Sequence, residues 1–464
     1  MDTNWAPDLT AFPGPKYQGL SRALREAIRA GDLPPGAQLP TVRDLAWRLH
    51  LTPGTVARAY TLATQEGLLA ATVGRGTFVA AQTPRLGPTQ SLYVERDQDW
   101  LRGRLDLRSP QLPDLGQDAE IEATLAETAG QGGWLDYTSQ KTELTLRAAV
   151  CDWLCDRVLG PIGPEDIALT MGGQNAVLMI MLCCLRGDRP VVLIEDLAYP
   201  GFRYAARLAR ADVVGVEMDN EGIVPSALEA ACRRQGPQIL CLTAEAQNPT
   251  TARMSEERRA EIARIARTYD LQIIEDDCYT VAESSLPSLR ALASERTWYV
   301  GSLSKTVSAA MRFGYVVCPV GMGEAGRLTV QHSCFALAKP VADVALRLLS
   351  SGVAADMRAR VQADGAVRLA IMVNRLGAFD LGWQPGLPFV WLRLPQGWRA
   401  STFTRMADGE GVLLRSADEY ALNHGRAPNA VRMAISGRAS LPLFDAGLGK
   451  LAALLAAPPS DFSV

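Results

Sequence analysis

The chain has 464 residues, a formal net charge of −3 at pH 7, and 48% hydrophobic against 21% charged residues. This length exceeds one ordinary domain, and the near-neutral charge excludes a polycation, so any nucleic-acid surface has to be local. No apolar run is long enough for a membrane span, and nine cysteines with three histidines form no metal-site pattern. We therefore expect a cytoplasmic protein with reduced thiols and no metal.

The first segment of the chain predicts three helices. Apolar residues at helical spacing begin near Lys16, and Gly31 ends that helix. Thr41 can cap a second helix. Thr52 can cap a third, with Pro53 at its first position, and that helix runs toward residue 66. The short corner between the second and third helices is typical of a helix-turn-helix.

Two short β-prone runs, 68–73 and 77–80, follow the third helix and are joined by Gly74-Arg75-Gly76. Together they predict a winged helix-turn-helix over residues 12–80. The third helix would enter the major groove with its N-terminus first, and the hairpin tip would reach the minor groove. The predicted DNA-binding residues are Arg43, Thr52, Thr55, Arg58 and Arg75.

This segment resembles the GntR family of bacterial repressors. The matching text is IRAGDLPPG at 28–36, LPTVRDLA at 39–46 and GRGTFV at 74–79. The resemblance implies DNA binding. Pro53-Gly54 departs from the family pattern at one presumed base contact, and a winged helix that makes only protein contacts is the alternative. Residues 81–108 are predicted to be a linker, although their last third could equally be a loop packed on the second domain.

From residue 109 to the end, short apolar runs alternate with helical patterns, which is typical of βαβ units and a mainly parallel sheet. The large part is thus expected to be α/β, followed from about Pro340 by a long helical segment and a smaller α+β part. The successive runs are 166–170, 174–186, 191–194, 202–209, 238–243, 255–269, 271–276, 298–302 and 313–318.

Lys305 lies just after one of these strands, with Ser302 before it and Arg312 seven residues later. Asp276 and Tyr279 end an earlier strand. A lysine can form a Schiff base with pyridoxal 5′-phosphate (PLP), and an aspartate can keep the pyridine nitrogen of PLP protonated. Ser302 and Arg312 are candidate phosphate ligands. Each of these residues, taken singly, could have an ordinary structural role, whereas the ordered set predicts a PLP site.

Three further candidates follow other strands. Gly173-Gln174 opens a helix, where backbone N–H groups can bind a phosphate. Tyr199 could stack on the cofactor ring, and Asn248 could donate a hydrogen bond to a ring oxygen. Taken alone, Gly172-Gly173 could be a tight turn and Tyr199 a core aromatic.

This series resembles the fold-type I aminotransferases over roughly residues 110–445. The resemblance implies that Lys305 carries PLP and that Asn248 and Tyr279 hold the phenolic oxygen. It further implies that Arg432, in VRMAI, binds a substrate carboxylate. Tyr137, in LDYT, would reach the PLP phosphate in the site of a partner subunit. Departures from the pattern occur at Thr251, at Lys141-Thr142 and at Gly173, which lacks the usual hydroxyl.

A GntR-type domain before an aminotransferase-like domain resembles the MocR subfamily of transcriptional regulators. The resemblance implies a head-to-tail homodimer on an operator with two half-sites. It also implies that an amine or amino-acid effector forms an external aldimine with PLP in place of Lys305. Two alternatives remain: an active PLP-dependent aminotransferase with an accessory DNA-binding domain, and a DNA-binding protein whose second domain is a scaffold without cofactor. The sequence names neither the effector nor the sign of regulation.

Overall fold

The structure is a computed structural model that describes residues 5–12, 14–65, 68–72, 76–80, 103–138, 140–279, 282–422 and 427–457. The chain forms two compact units, which divide between Gln90 and Ser91. None of the helices within these described ranges is long and apolar enough to cross a membrane.

The N-terminal unit has the predicted three helices and two-stranded wing. Gly31 ends the first helix at a φ of 87°, a conformation that glycine adopts without strain. Thr41 caps the second helix by accepting a hydrogen bond of 3.2 Å from the amide of Asp44. The elements are α1 (Lys16–Ala30), α2 (Val42–Arg48), α3 (Pro53–Gln65), β1 (Leu69–Thr72) and β2 (Gly76–Val79).

One apolar core holds this unit together. Leu20 and Leu24 of α1, Leu45 of α2 and Val56 of α3 are fully buried against one another. The strands β1 and β2 pair antiparallel, and Val79 of β2 closes the core from the wing. The apolar spacing of α1 and the caps of α2 and α3 therefore produce the winged helix-turn-helix that the sequence predicts.

The C-terminal unit contains the remaining elements. They are β3 (Leu105–Asp106), α4 (Gln117–Ala129), α5 (Gln140–Trp153), β4 (Ile167–Thr170), α6 (Gly173–Cys184), β5 (Val191–Glu195), α7 (Pro200–Leu208), β6 (Asp212–Val216), β7 (Met218–Asp219), β8 (Gly222–Ile223), α8 (Pro225–Gln235), β9 (Ile239–Leu242), α9 (Glu256–Thr268), β10 (Gln272–Asp276), α10 (Leu289–Leu292), β11 (Thr297–Ser302), β12 (Gly314–Val317), α11 (Gly323–Cys334), α12 (Lys339–Ser350), α13 (Val353–Leu376), β13 (Leu381–Gly382), β14 (Phe389–Arg393), α14 (Ala400–Gly409), β15 (Val412–Leu413), β16 (Arg415–Ser416), β17 (Ala430–Ala434) and α15 (Leu441–Ala456).

The large sheet of this unit has seven strands in the order β4-β12-β11-β10-β9-β5-β6. All of its neighbouring pairs are parallel except the two that β12 makes. The sheet is buried on both faces: Ile194 packs into the cluster with α6 and α7, and its neighbour Leu193 packs into the cluster with α8 and α9. Burial on both faces explains why the strands read as continuous apolar runs.

The smaller part is built on a four-stranded sheet in the order β13-β14-β17-β16. Val431 and Met433 of β17 point into the core beneath α13 and α15, so Arg432 between them points to the opposite face. The helical segment predicted from Pro340 is two helices, α12 and α13, because the chain turns between them at Gly352 with a φ of 84°.

The end of the predicted linker belongs to this smaller part. Leu105 and Leu107 are buried in the core of α13, α15 and β14, and β3 pairs in parallel with β15. The alternative that the sequence left open, a loop packed on the second domain, therefore describes residues 103–108. Residues 81–102 lie outside the described residues.

Candidate functional site

The predicted cofactor residues lie at the carboxyl ends of the strands of the large sheet. Asp276 ends β10, Ser302 ends the neighbouring strand β11, and Lys305 closes the single 3-10 turn that follows. The Ser302 hydroxyl accepts a hydrogen bond of 3.1 Å from the amide of Ser304, which fixes the direction of this turn. The Lys305 Nζ lies 5.6 Å from the centre of the Tyr279 ring.

Asp276 is a buried carboxylate, with 8% of its surface exposed. Its Oδ1 accepts a hydrogen bond of 2.9 Å from the amide of Cys278, and no cationic side chain of the described residues pairs with it. Burial raises the pKa of Asp276. A protonated pyridine nitrogen placed beside this carboxylate would supply the missing positive charge.

The turn at the start of α6 requires glycine, because Arg312 and Cys278 approach its backbone closely. A Cβ atom on Gly173 would lie 2.5 Å from the Cys278 sulfur, and one on Gly172 would lie 2.5 Å from the Arg312 Nη2. The first amides of α6 have no partner within the helix, so they and the Arg312 guanidinium can serve one phosphate. The backbone of Arg312 has a φ of 51°, and its guanidinium lies next to Gly172.

Gln174 and Tyr199 lie close together beside this turn. The Gln174 amide nitrogen donates a hydrogen bond of 3.0 Å to the Gly201 carbonyl, and its buried Oε1 has no hydrogen-bond partner in the described part of the chain. A Cβ atom on Gly201 would overlap both Gln174 and the Tyr199 ring. Burial raises the pKa of Tyr199, so its hydroxyl stays protonated at neutral pH.

Arg432 and Asn248 lie on the other side of the cleft. The Arg432 Nη1 donates a hydrogen bond of 3.1 Å to the Asn248 Oδ1, while the Asn248 Nδ2 is buried without a partner among the described atoms. The Arg432 guanidinium lies 4.8 Å from the Phe389 ring, and Phe389 packs edge-on against Tyr279 at 5.4 Å. Two aromatic rings thus connect Arg432 to Lys305.

Tyr137 lies away from these residues. Its side chain is 78% exposed and stacks on Phe335 at 5.4 Å, beside a depression of about 510 Å³ that Arg147 and Arg327 also line. The described contacts of Tyr137 include none with Lys305 or Arg312. The role predicted for it, at the phosphate of a partner subunit, stays a prediction.

The predicted DNA-binding residues lie on the surface of the N-terminal unit. Arg43 on α2 is exposed, and Thr52 caps α3 through hydrogen bonds that link it to Thr55. Arg58 is exposed on α3, with its guanidinium 4.0 Å from the centre of the Tyr17 ring. Arg75 lies outside the described residues.

Sequence reasoning missed Tyr420 and Glu195. The Tyr420 ring lies 5.5 Å from the Arg432 guanidinium, although no motif marks it in the sequence. Glu195 ends β5 and accepts hydrogen bonds of 3.1 Å from Thr243 and Gln247, the residue before Asn248. Its position at the carboxyl end of a strand was the available signal.

The residues present fit PLP. Among the described residues, the buried Asn248 Nδ2 lacks an acceptor and the buried Asp276 carboxylate lacks a cation, and the Arg312 guanidinium lies beside the glycine turn that opens α6. Lys305 lies near the Tyr279 ring in the same cleft. PLP carries a phenolic oxygen for Asn248, a pyridinium nitrogen for Asp276, a phosphate for Arg312 and an aldehyde for Lys305.

Comparisons with known proteins agree with this geometry. Residues 103–439 match the family model "Aminotransferase class I and II", and residues 16–79 match "Bacterial regulatory proteins, gntR family". Among solved structures, an archaeal alanine:glyoxylate aminotransferase superposes with a TM-score of 0.67 at 24% identity, over 76% of this chain and 91% of its own. A Pyrococcus horikoshii kynurenine aminotransferase superposes with a TM-score of 0.68 at 21% identity, over 80% of this chain and 97% of its own.

Curated relatives share both domains. The uncharacterized HTH-type transcriptional regulator YdeF of Bacillus subtilis is 28% identical over 97% of each chain. The HTH-type transcriptional regulator TauR of Rhodobacter capsulatus is 27% identical over 93% of this chain and 96% of its own. The chain belongs to the aminotransferase class I and II family, with a GntR-family domain before it in the two-domain arrangement of MocR-type regulators.

Proposed function

We propose that this protein is a PLP-dependent transcriptional regulator whose operator binding responds to an amine or amino acid. The observation that carries the proposal is the extent of the likeness to YdeF and TauR, which are named transcriptional regulators and align with more than nine-tenths of this chain. The likeness includes the DNA-binding unit together with the lysine-centred cleft. The proposed domains are the DNA-binding unit at 12–80, the linker at 81–108 and the effector domain at 109–464, except that residues 103–108 join the effector domain because Leu105 and Leu107 lie in its core.

The cofactor is proposed to lie in the cleft around Lys305. PLP would supply an aldehyde that bonds reversibly to a primary amine, and Lys305 and the effector each offer such an amine. Asp276 keeps the pyridine nitrogen protonated, Tyr199 stacks on the ring, and Asn248 and Tyr279 donate hydrogen bonds to the phenolic oxygen. The phosphate is held by Gly173, Gln174, Ser302, Arg312 and Tyr137 of the partner subunit.

The effector is proposed to be a primary amine that also carries an acid group. Arg432 is 3% exposed, and within the described ranges its Nε has no hydrogen-bond partner and no carboxylate forms an ion pair with it. A buried arginine without a counterion is costly, and an acid group on the effector removes that cost. Such a ligand shifts the conformational equilibrium by its differential affinity, typically about 1–3 kcal/mol.

DNA binding is assigned to the exposed residues of α2 and α3 and to the wing. Thr52, Thr55 and Arg58 would approach the major groove, Arg43 a phosphate or a guanine edge, and Arg75 the minor groove. A homodimer, proposed to be head-to-tail, would place two such units on an operator with two half-sites. Joining two weakly binding DNA-binding units in one dimer raises the affinity for the operator, because the second unit binds at a high effective concentration.

The test combines cofactor absorbance with operator binding. We expect the purified protein to be coloured and Lys305→Ala to abolish the visible band of lysine-bound PLP. We also expect an amine that shifts this band to change the affinity for the protein's own upstream DNA only when Lys305 is present. Lys450→Ala, on the far helix α15, serves as the control and keeps both responses. Operator affinity indifferent to every tested amine and to loss of Lys305 would contradict the proposal.

The second candidate is a working aminotransferase. It is favoured by the preserved cleft and by the structural match to aminotransferases over 75–80% of the chain. Amino donors paired with 2-keto acids separate the two functions: sustained formation of new amino acid over many turnovers indicates an enzyme, whereas a single stoichiometric change indicates a sensor. Operator binding that is independent of the donor would add to the case for the enzyme.

A further inference from the structure

Tyr420 presents an unused hydroxyl at the end of the cleft where Arg432 lies. The side chain is 3% exposed, and its Oη has no hydrogen-bond partner in the part of the chain that the structure describes. A buried hydroxyl without a partner is unfavourable, since it has lost its hydrogen bonds to water. Such a group is expected where a ligand supplies the missing acceptor.

The surroundings of Tyr420 are cationic. Its ring lies 5.5 Å from the Arg432 guanidinium, and Arg415 is the cross-strand neighbour of Arg432 in the pairing of β16 with β17, so both arginines point to the same face. The Arg415 Nη1 lies 3.0 Å from the Glu419 carboxylate, which neutralises that arginine. Arg432 has no such counterion among the described residues, so an anion bound beside Tyr420 would complete the charge balance.

The backbone around Tyr420 is fixed to the large sheet. Its carbonyl accepts a hydrogen bond of 3.1 Å from the amide of Ala198, and the Arg203 guanidinium donates to the carbonyls of Glu419 and Ala421. Tyr199, one of the predicted cofactor residues, directly follows Ala198. The Tyr420 ring is therefore held at a defined distance from the cofactor end of the cleft, which a specificity residue requires.

We propose that Tyr420 is a specificity-determining residue that donates a hydrogen bond, beside Arg432, to the acid group of the effector. The inference rests on the proposed function and names the class of effector more closely: a primary amine whose carboxylate or sulfonate reaches both donors. Burial raises the pKa of the Tyr420 hydroxyl, so it remains a donor at neutral pH. Neither Tyr420 nor Arg432 contributes to the binding affinity of an amine without the acid group.

The test uses pairs of amines titrated against the absorbance of the PLP-loaded full chain. Each acid-bearing amine (4-aminobutanoate, D-alanine, 2-aminoethanesulfonate) is matched with the amine in which hydrogen replaces the acid group. We expect Tyr420→Phe to weaken the best acid-bearing amine by about 10-fold or more, as the loss of a hydrogen bond to a charged group implies, and to leave its acid-free partner unchanged. Carboxylate and sulfonate probes distinguish the two acid groups.

Stability separates this role from a structural one. Because the Tyr420 hydroxyl makes no hydrogen bond in the described residues, Tyr420→Phe should keep or slightly raise the Tm of the ligand-free protein. Tyr269→Phe is the matched control, since its hydroxyl lies 3.4 Å from Glu229 outside the cleft, and it should leave every amine affinity unchanged.

The outcomes are distinguishable. Equal affinities of wild-type and Tyr420→Phe for the acid-bearing amines, a fall in Tm on that substitution, or no preference of the wild-type protein for acid-bearing amines would each overturn the inference. Absence of the lysine-bound PLP band would instead contradict the proposed function. In the double variant with Arg432→Gln, removal of the Tyr420 hydroxyl should cost less than it does alone, because both residues serve one acid group.

Discussion

Glu195 is a buried acid that supports the cleft without facing solvent. Burial raises its pKa to about 8, although hydrogen bonds from Gln247 and Thr243 act in the opposite direction. Gln247 also donates to the Leu197 and Asn248 carbonyls, so the Glu195 carboxyl helps to position Asn248. The protonated carboxyl is thus part of the folded state at neutral pH.

This raised pKa gives a pH-dependent stability of known sign. An acid whose pKa is higher in the folded than in the unfolded state stabilises most below its unfolded value, near 4.5, and loses that contribution as the pH rises through about 8. Each unit of pKa difference corresponds to about 1.4 kcal/mol. We expect the Tm of Glu195→Gln to fall less between pH 5 and pH 8.5 than that of the wild-type protein.

Thermal unfolding across this pH range checks the prediction. Some pH dependence should persist in Glu195→Gln, because burial also raises the pKa of Glu275, to about 7. Wild-type and variant curves of equal slope would show that Glu195 is ionised in the folded protein.

The residues of the cleft differ in how far sequence could predict them. Asp276 ends an apolar strand and Lys305 lies shortly after another, so both were expected at the carboxyl edge of the sheet. The face of Arg432 follows from its alternation with Val431 and Met433 in a strand. Tyr420 could not be predicted, because it follows a short 3-10 turn whose position depends on hydrogen bonds to Ala198 and to Arg203, more than two hundred residues away.

At the scale of elements, the glycine turn before α6 is predicted to be essential to the site. A side chain at Gly173 would meet the Cys278 sulfur, and Cys278 donates its amide to Asp276. Gly173→Ala should therefore displace both the phosphate turn and Asp276. We expect an affinity for PLP at least 10-fold lower, measured by equilibrium titration of absorbance, since overpacking typically costs about 1–3 kcal/mol.

A second glycine supplies the control. Gly449 lies within α15 and has open space where a methyl group would point, so Gly449→Ala should stabilise the helix by about 0.5–1 kcal/mol and leave PLP affinity unchanged. A Gly173→Ala protein that binds PLP as tightly as the wild type would show that the turn tolerates a side chain.

The helices α2 and α3, which are proposed to face DNA, each carry an arginine whose substitution should change DNA affinity. Arg43 on α2 and Arg58 on α3 are both exposed. If Arg58 contacts a phosphate, Arg58→Ala should weaken specific and non-specific DNA alike and lower the salt slope by about 1. If Arg43 reads a guanine, Arg43→Ala should cost about 1–3 kcal/mol on the operator alone. Fluorescence anisotropy at several salt concentrations measures both.

The control for these arginines is Arg189→Ala, because Arg189 forms an exposed pair with Asp212 in the C-terminal unit. Its operator affinity should equal that of the wild type. Identical losses for specific and non-specific DNA in Arg43→Ala would assign Arg43 to the phosphate backbone instead.

Element boundaries were largely predictable, whereas strand direction was not. The caps Thr41 and Thr52 and the terminator Gly31 mark the helices of the winged domain within one or two residues. The antiparallel direction of β12 leaves no mark in its own apolar sequence, because it depends on pairing with both β4 and β11. No apolar run predicted the edge strand β6. Its position is determined by its parallel pairing with β5.

At the scale of the whole molecule, one surface of the C-terminal unit exposes several large apolar side chains. Leu135 is 99% exposed, and Tyr137 and Phe335 stack on each other at the surface nearby. Large exposed apolar groups that lie together usually mark an interface. A second copy of the chain on this surface would bring Tyr137 toward the phosphate turn of the other subunit, as the proposed homodimer requires.

Mixed dimers test whether Tyr137 acts across this interface. Tyr137→Phe alone should weaken PLP binding about 10-fold, because one hydrogen bond to the phosphate is lost at every site. When Tyr137→Phe chains are mixed with Lys305→Ala chains, the lysine-bearing site receives an intact Tyr137 from its partner, so part of the absorbance should return with wild-type affinity. Mixing wild-type chains with chains that carry both substitutions gives the opposite result, since the lysine-bearing site of each mixed dimer then receives phenylalanine. If mixing leaves every lysine-bearing site of the first mixture weak and every such site of the second at wild-type affinity, Tyr137 does not reach the neighbouring site, and the exposed surface around it serves another purpose.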